Sequence, residues 1–304
     1  MPQSQRDVRN RIGAVKNIQK ITRAMEMVAA ARLRRAEQRI EALRPYADAI
    51  RRMTRQAAEA AGNVPRLPIL QEHDQVRRVG LLMVAGDRGL AGAFNSNIVR
   101  AGVAAGRSYE ADGRTPVYFA SGRRPSTSLT FRGLQPAASF TGFTDRPAYA
   151  DARRIADTLM AAYIDDEVDQ VEIFYNGYIS PINQQVRRET LLPLQQATVL
   201  DESDEERESG GRRAPELRAL VEYEPDPEEI LKRLVPDYVE ISIFRALLES
   251  TASEHGARMT AMRNASENAG ELIQNLTLEM NRARQAEITQ EILEVVAGAE
   301  GLSG

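Results

Sequence analysis

The chain contains no cysteine and no tryptophan in 304 residues, and only two histidines. The missing thiols exclude disulfides, thiolate-bound metals, thiol nucleophiles and thiol redox switching. His73 and His255 lie far apart in sequence, so a histidine-rich metal site is excluded. Each is read as an ordinary surface or helix residue. No Ser-His-Asp or Cys-His set can be assembled, and neither an HExxH helix nor an EF-hand loop is present. Aromatics make up only 5% of the residues, which favours Ala, Leu, Ile and Met packing over an aromatic-rich β core. No run of about 18 apolar residues occurs, so no membrane-spanning helix is expected. The first residues, MPQSQRDVRN, are charged and carry no apolar signal core, so the chain is read as mature sequence in a bacterial cytoplasm.

Charge is unevenly spread. The formal net charge is −3. Residues 1–56, however, hold 14 Lys+Arg against five Asp+Glu, and residues 201–229 hold 12 Asp+Glu against four Arg. Solvated faces explain such runs, and so does a partner of complementary charge.

The two ends read as long helices. Between residues 3 and 58 there is one proline, Pro45, and one glycine, Gly13, among strong helix formers. Val8, Ile12, Val15, Thr22, Ala29, Leu33, Ala36, Ile40 and Leu43 follow the alternating three-four spacing of a coiled-coil seam. Ile18, Ile21, Met25 and Val28 form a second apolar stripe beside it, and Gln19 and Glu26 interrupt the first. Pro45 should kink or restart the helix. No proline follows Pro236, and residues 237–298 carry a matching seam: Met262, Ala265, Ala269, Leu272, Leu276, Ala283, Ala286 and Leu293. Helices this long are stable only with partners, and the natural partner of the first is the last, packed antiparallel.

Between the ends the texture changes. RRVGLLMVA (77–85), PVYFAS (116–121) and QVEIFYNGYIS (170–180) read as buried strands, and VRRETLLPL (186–194) as a more peripheral one. Helical patterns cover about 92–110 and 147–163. Strands alternating with helices predict a mainly parallel, Rossmann-like α/β sheet. The expected organisation is therefore an N-terminal helix over 1–60, an α/β domain over 76–200, an acidic flexible insertion over 201–229 and a C-terminal helix over 230–304. Within the insertion the acidic core is 201–222.

A glycine-rich turn, GDRGLAGAFNSN (86–97), follows the first strand, where many enzymes hold a phosphate. Gly86, Gly89 and Gly92 are spaced three apart, which fails the dinucleotide fingerprint. No lysine is present for a P-loop. Asp87 would repel a phosphate, and Arg88 alone is a weak attractor. The turn is therefore read as structural, its glycines allowing tight turns and close packing. Asn95 or Ser96 is a suitable helix N-cap. No cofactor site is expected. From these features alone three readings stand: an interaction part, which long rods without a site and with uneven charge favour, an enzyme on a nucleotide-binding α/β domain with helical arms, and a basic helical nucleic-acid binder. The third has the charge but almost no aromatics for stacking and no reader motif.

KNIQKITRAMEMVAAARLRRAEQR (16–39) closely resembles the N-terminal helix of the rotary ATP synthase gamma subunits. ARMTAMRNASENAGELI (257–273) and NRARQAEITQEILEVVAGAEGL (281–302) resemble the family's C-terminal helix, and GDRGLAGAFNSNI its middle-domain turn. The order of elements agrees across essentially the whole chain. Ala91 stands where many relatives have Cys, and Gly301 is a minor departure. The acidic stretch looks longer than usual, and the thiol switch of chloroplast relatives is absent.

The resemblance implies a central shaft. The terminal helices would form an antiparallel coiled coil inside the ring of α and β subunits. The α/β domain would sit against the epsilon subunit and the membrane c-ring. The chain would then be a non-catalytic subunit, peripheral on the cytoplasmic face of the membrane, binding neither nucleotide nor magnesium. It also implies β-subunit contacts, and torque transmission, at Arg284, Gln285, Thr289 and Glu291. Arg23 and Met25 would pass acidic β loops. The apolar turns at Ile292, Leu293, Val295, Val296 and Ala297 suit a smooth tip.

Overall fold

The computed structural model describes residues 5–60, 68–73, 75–194 and 227–302. The acidic stretch 201–222 lies outside them. In chain order the elements are α1 (Gln5–Ala60), a 3-10 turn (Pro68–Leu70), β1 (Arg78–Val84), α2 (Phe94–Ala111), β2 (Thr115–Ser121), α3 (Arg123–Phe131), β3 (Ala138–Phe140), α4 (Tyr149–Ile164), β4 (Gln170–Tyr178), β5 (Gln184–Leu192) and α5 (Pro227–Leu302). The chain divides into two compact units. One comprises Met1–Ala31 with Arg258–Gly304, the other Arg32–Ala257.

The first unit pairs the outer parts of α1 and α5. Val8, Ile12 and Leu276 are buried together, with Val15, Ile273 and Met280 packed against them. Further along α1, Gln19 donates its side-chain amide to Ser266 O at 3.3 Å. Beyond it, Glu26 accepts from Arg263 Nε at 2.9 Å. Rising numbers on one helix meet falling numbers on the other, so the pair is antiparallel as expected. The polar interruptions of the seam are thus paired across it. Ala29, Met262 and Ala269 are also buried, but Leu272 is exposed and Ile273 takes its place. The second stripe faces outward, with Ile18, Ile21 and Val28 each more than half exposed.

The second unit is a five-stranded sheet of order β3-β2-β1-β4-β5. Four strands are parallel and β5 runs antiparallel at the edge, as its peripheral pattern predicts. Alternation along β1 divides the core. Val79, Leu81 and Met83 pack with Ile98, Val99 and Val103 of α2 and Leu129 of α3. Leu82 and Val84 pack on the other face with Ile155 and Leu159 of α4 and with Val239, Ile243 and Leu247 of α5. Gly106 lets α2 sit close to the sheet, because a Cβ there would lie 2.1 Å from the Tyr118 hydroxyl.

Several boundaries differ from expectation. α1 continues through Pro45 without restarting. α5 begins at Pro227, three residues before the expected C-terminal helix over 230–304, and continues through Pro236. Proline is tolerated in a helix's first turn. The acidic Glu228 and Glu229 that follow favour a helix N-terminus. Both α3 and β3 were unforeseen. α3 is rich in Ser and Thr with an internal proline, and β3 is three residues long.

Candidate functional site

Strand order reverses beside β1. The crossovers through α2 and α3 place β2 and β3 on one side, and the crossover through α4 places β4 on the other. Open α/β sheets bind ligands in the crevice outside the carboxyl ends of the strands at such a reversal. The glycine turn lies there.

Three of its polar side chains, Asp87, Asn95 and Ser96, have partners within the protein. Asn95 accepts the Gly86 N–H at 2.8 Å and donates to Arg88 O at 3.0 Å. Its side chain therefore braces the turn and does not cap the helix. The N-cap is Ala93, with no side-chain bond, and Ser96 donates to Ala93 O instead. Asp87 accepts the N–H groups of Arg123 at 2.9 Å, Gly142 at 2.9 Å and Thr144 at 3.3 Å, and the Thr144 hydroxyl at 3.0 Å. These backbone donors could have formed an anion nest, and the carboxylate occupies them. Gly92 has φ of +55°, the left-handed region that favours glycine. Arg88 is exposed.

The crevice itself is filled by α5. A Cβ on Gly86 would lie 2.8 Å from Oε2 of the buried Glu254, and one on Gly89 would lie 2.8 Å from Arg124. Ser253 donates to Asn176 O at 3.0 Å, and Asn176 donates to Phe94 O at 3.2 Å. Val84, Ala85, Thr144, Leu247, Ser250, Thr251 and Glu254 line a cavity of about 10 Å³, room for one water at most. Residues 247–254 of α5 thus line this crevice. His255, read from sequence as an ordinary surface or helix residue, is a helix residue but only 2% exposed, with Nε2 3.8 Å from Asp145. The polar run ESTASEH (249–255), directly after the apolar ISIFRALL stretch of α5, was the available signal for this buried network.

Other polar clusters brace the sheet. Tyr109 donates to Glu172 at 2.8 Å, and Arg188 holds the same buried carboxylate through Nε and Nη2. Burial, chiefly, raises the pKa of Tyr109 and of Glu249. Arg187 stands 3.5 Å from Glu249.

The residues marked on the helices sit differently. Arg284, Gln285, Thr289 and Glu291 are exposed on α5. Helical spacing puts Arg284 and Glu291 on one face and Gln285 and Thr289 on the next. The Thr289 hydroxyl donates to Gln285 O at 2.8 Å. All side chains from 284 to 297 are exposed, including Ile292, Leu293, Val295 and Val296. Arg23 is exposed and Met25 half-buried, close in sequence to the Glu26–Arg263 pair. The two sets are therefore at separate levels along the helix pair. No helix among the described residues is long and apolar enough to cross a membrane.

Comparison with known proteins agrees with this architecture. A family model described as ATP synthase matches residues 4–302. The chain is 43% identical over 300 residues to the ATP synthase gamma chain of Rubrobacter xylanophilus, covering 99% of both chains. It is 42% identical over 315 residues to that of Nostoc punctiforme, covering 97% of this chain and 98% of the relative. Among solved structures it is similar to the central stalk of the Tetrahymena thermophila mitochondrial ATP synthase. That match has a TM-score of 0.59 and 25% identity, covering 81% of this chain and 99% of the other. A chain of the Euglena gracilis mitochondrial ATP synthase shares the fold, with a TM-score of 0.66 and 18% identity, over 98% of this chain and 94% of the other. The chain belongs to the ATP synthase gamma-chain family.

Proposed function

We infer that this chain is the central-stalk rotor subunit of an ATP synthase. It transmits rotation of the membrane c-ring to the catalytic α/β hexamer and so couples proton flow to ATP synthesis. The observation that carries this reading is full-length kinship with gamma chains, joined to a helix pair whose C-terminal portion is wholly exposed. An exposed apolar band at Ile288, Ile292, Leu293 and Val296 has no reason to persist in a solitary protein, and fits a shaft sheathed by other subunits.

The physical design follows from the role. A shaft must resist twisting, hence two long paired helices. It must turn inside its sleeve, hence an apolar end without strong directional bonds. It must still grip at a few points. In this reading Arg284 and Glu291, with Gln285 and Thr289 on the adjoining face, make those contacts with β-subunit loops. Arg supplies charge-assisted bonds. Arg23 and Met25 pass the acidic β loops, where the basic surplus of residues 1–56 gives weak, screened attraction. The α/β domain meets the epsilon subunit and the c-ring. In this reading the chain itself is non-catalytic and carries no nucleotide. It associates peripherally with the cytoplasmic face of the bacterial membrane. The acidic stretch 201–222 is a candidate epsilon contact or brake.

The test is ATP hydrolysis by the purified α and β subunits of the same organism, with and without this chain. A stable complex with raised, sustained turnover is expected. Subunits that neither bind it nor speed up would overturn the reading and reopen the nucleotide-binding and nucleic-acid alternatives.

A further inference from the structure

The loop between β3 and α4, residues 141–148, is bonded to three different parts of the second unit. Asp87, at the end of β1, holds it through Gly142 N, Thr144 N and the Thr144 hydroxyl. α5 holds it through Thr251, whose hydroxyl is shared between its own helix at Leu247 O and the loop at Thr144 O, the latter at 2.9 Å. His255, one turn further along α5, lies 3.8 Å from Asp145. α1 holds it through Arg32, which binds both oxygens of Asp145, and through Arg39, which donates to Pro147 O. Arg32 and Arg39 are seven residues apart and Thr251 and His255 four, so each pair shares one helix face. One short loop therefore receives bonds from Arg32 and Arg39 of α1 and from Thr251 of α5, with His255 beside Asp145, and is itself held by the carboxylate and backbone N–H of one residue, Asp87, just past β1.

The hydrophobic effect is non-directional and does not by itself specify a helix's rotation about its own axis. Hydrogen bonds have a narrow angular range and define that rotation. We propose that the β3–α4 loop is a torsional coupling of the rotor, with Asp145 as its positioning residue: Arg32 on α1 binds the Asp145 carboxylate and Thr251 on α5 bonds the adjoining Thr144, so these stretches of the helices cannot turn without carrying the loop, and through Asp87 the end of β1, with them. This proposal rests on the rotor reading above. Asp145 touches neither nucleotide nor any residue placed in β-subunit contact, so its effect is confined to transmission. The same load falls on Arg32, whose planar fork a lysine would not reproduce.

The test compares wild type, Asp145→Ala and Arg32→Lys in two assays. The first is ATP hydrolysis by the soluble assembly with the α and β subunits. The second is ATP-driven proton pumping by the complete complex, with epsilon and the c-ring, in lipid vesicles. Soluble hydrolysis should be retained by both variants. Pumping per ATP should fall about threefold in Asp145→Ala, the weight that one part-exposed ion pair carries in an equilibrium. Arg32→Lys should fall in between. Equal pumping per ATP in all three proteins would overturn the proposal. If Asp145→Ala fails to assemble, the Arg32→Lys ratio decides alone. Failure of the wild-type chain to stimulate the α and β subunits would instead overturn the rotor reading, so the two failures are distinguishable.

Discussion

Asp87 gathers four hydrogen bonds onto one side chain, three of them from a loop more than fifty residues away in sequence. Its sequence signature says only that a phosphate would be repelled. Its partners lie in another loop and could not be read from the turn itself. Asp87→Ala would strand the N–H groups of Gly142, Thr144 and Arg123. The loss expected is about 1 kcal/mol, because Thr144 alone is part-buried and water can reach the exposed Arg123 and Gly142 donors. The urea midpoint of the full chain measures it, and an unchanged midpoint would show that water replaces the carboxylate. Tyr163 offers a second check at this scale. Its ring is buried and its hydroxyl donates to Gln71 O at 2.5 Å. Burial first, then the nearby Glu72, Asp169 and Asp166 carboxylates, push its pKa up to about 12. The unfolded phenol titrates near pH 10. A raised folded value means that the stability contributed is complete below about 10 and is lost as pH climbs through about 12. Between those values Tyr163→Phe should therefore lose stability less steeply than wild type in urea titrations at successive pH.

At the scale of elements, most of the fold was legible. The buried runs 77–85, 116–121 and 170–180 contain β1, most of β2 and β4, because apolar strands flanked by turns leave a clear pattern. The seam of α1 was legible from spacing alone: Val8, Ile12, Thr22, Ala29, Leu33 and Ala36 are all buried. The seam of α5 was legible only in part. Leu272 and Ile273 are adjacent apolar residues, and spacing cannot choose between them until the partner helix is in place. Ala286 and Leu293 belong to the pattern but are exposed, because no part of α1 covers that portion of α5 among the described residues. The short α3 and β3 left no periodic signal. The buried seam cluster makes a direct prediction. Leu276 is 4% exposed against Val8 and Ile12. Leu276→Ala should cost about 3 kcal/mol, the middle of the range for such truncations. The loss should appear as an early step in helical circular dichroism on heating, while the tertiary signal from the sheet's tyrosines melts as before. A single unshifted transition would show that the helix pair gains nothing from that cluster.

For the whole molecule, the division of labour is between residues that hold the chain together and residues left uncovered. Asp87 and Asn95 of the glycine turn, Thr144 of the β3–α4 loop and Thr251 and Ser253 of α5 bond within the second unit. Positions 284–297 of α5 have none of that packing, yet include Ile288, Ile292, Leu293, Val295 and Val296. Exposed sites distant from the core ordinarily change stability by less than about 0.5 kcal/mol on substitution. Gln285→Ala and Thr289→Val should therefore leave the thermal midpoint of the isolated chain unchanged, while lowering the turnover of the assembly with the α and β subunits. Hydrogen exchange supplies the complementary measurement. Backbone amides in 284–297 should exchange rapidly in the isolated chain, because exposed helix without tertiary packing opens at small free-energy cost. In the assembly they should become protected, as the sleeve of α and β subunits covers them. Amides of β1 and β4 should exchange at the same slow rate in both. Protection that appears in the sheet and not at 284–297 would place the hexamer on the α/β domain and overturn the shaft orientation. Loss of turnover in the two variants without any change in exchange elsewhere would locate the grip on this exposed face.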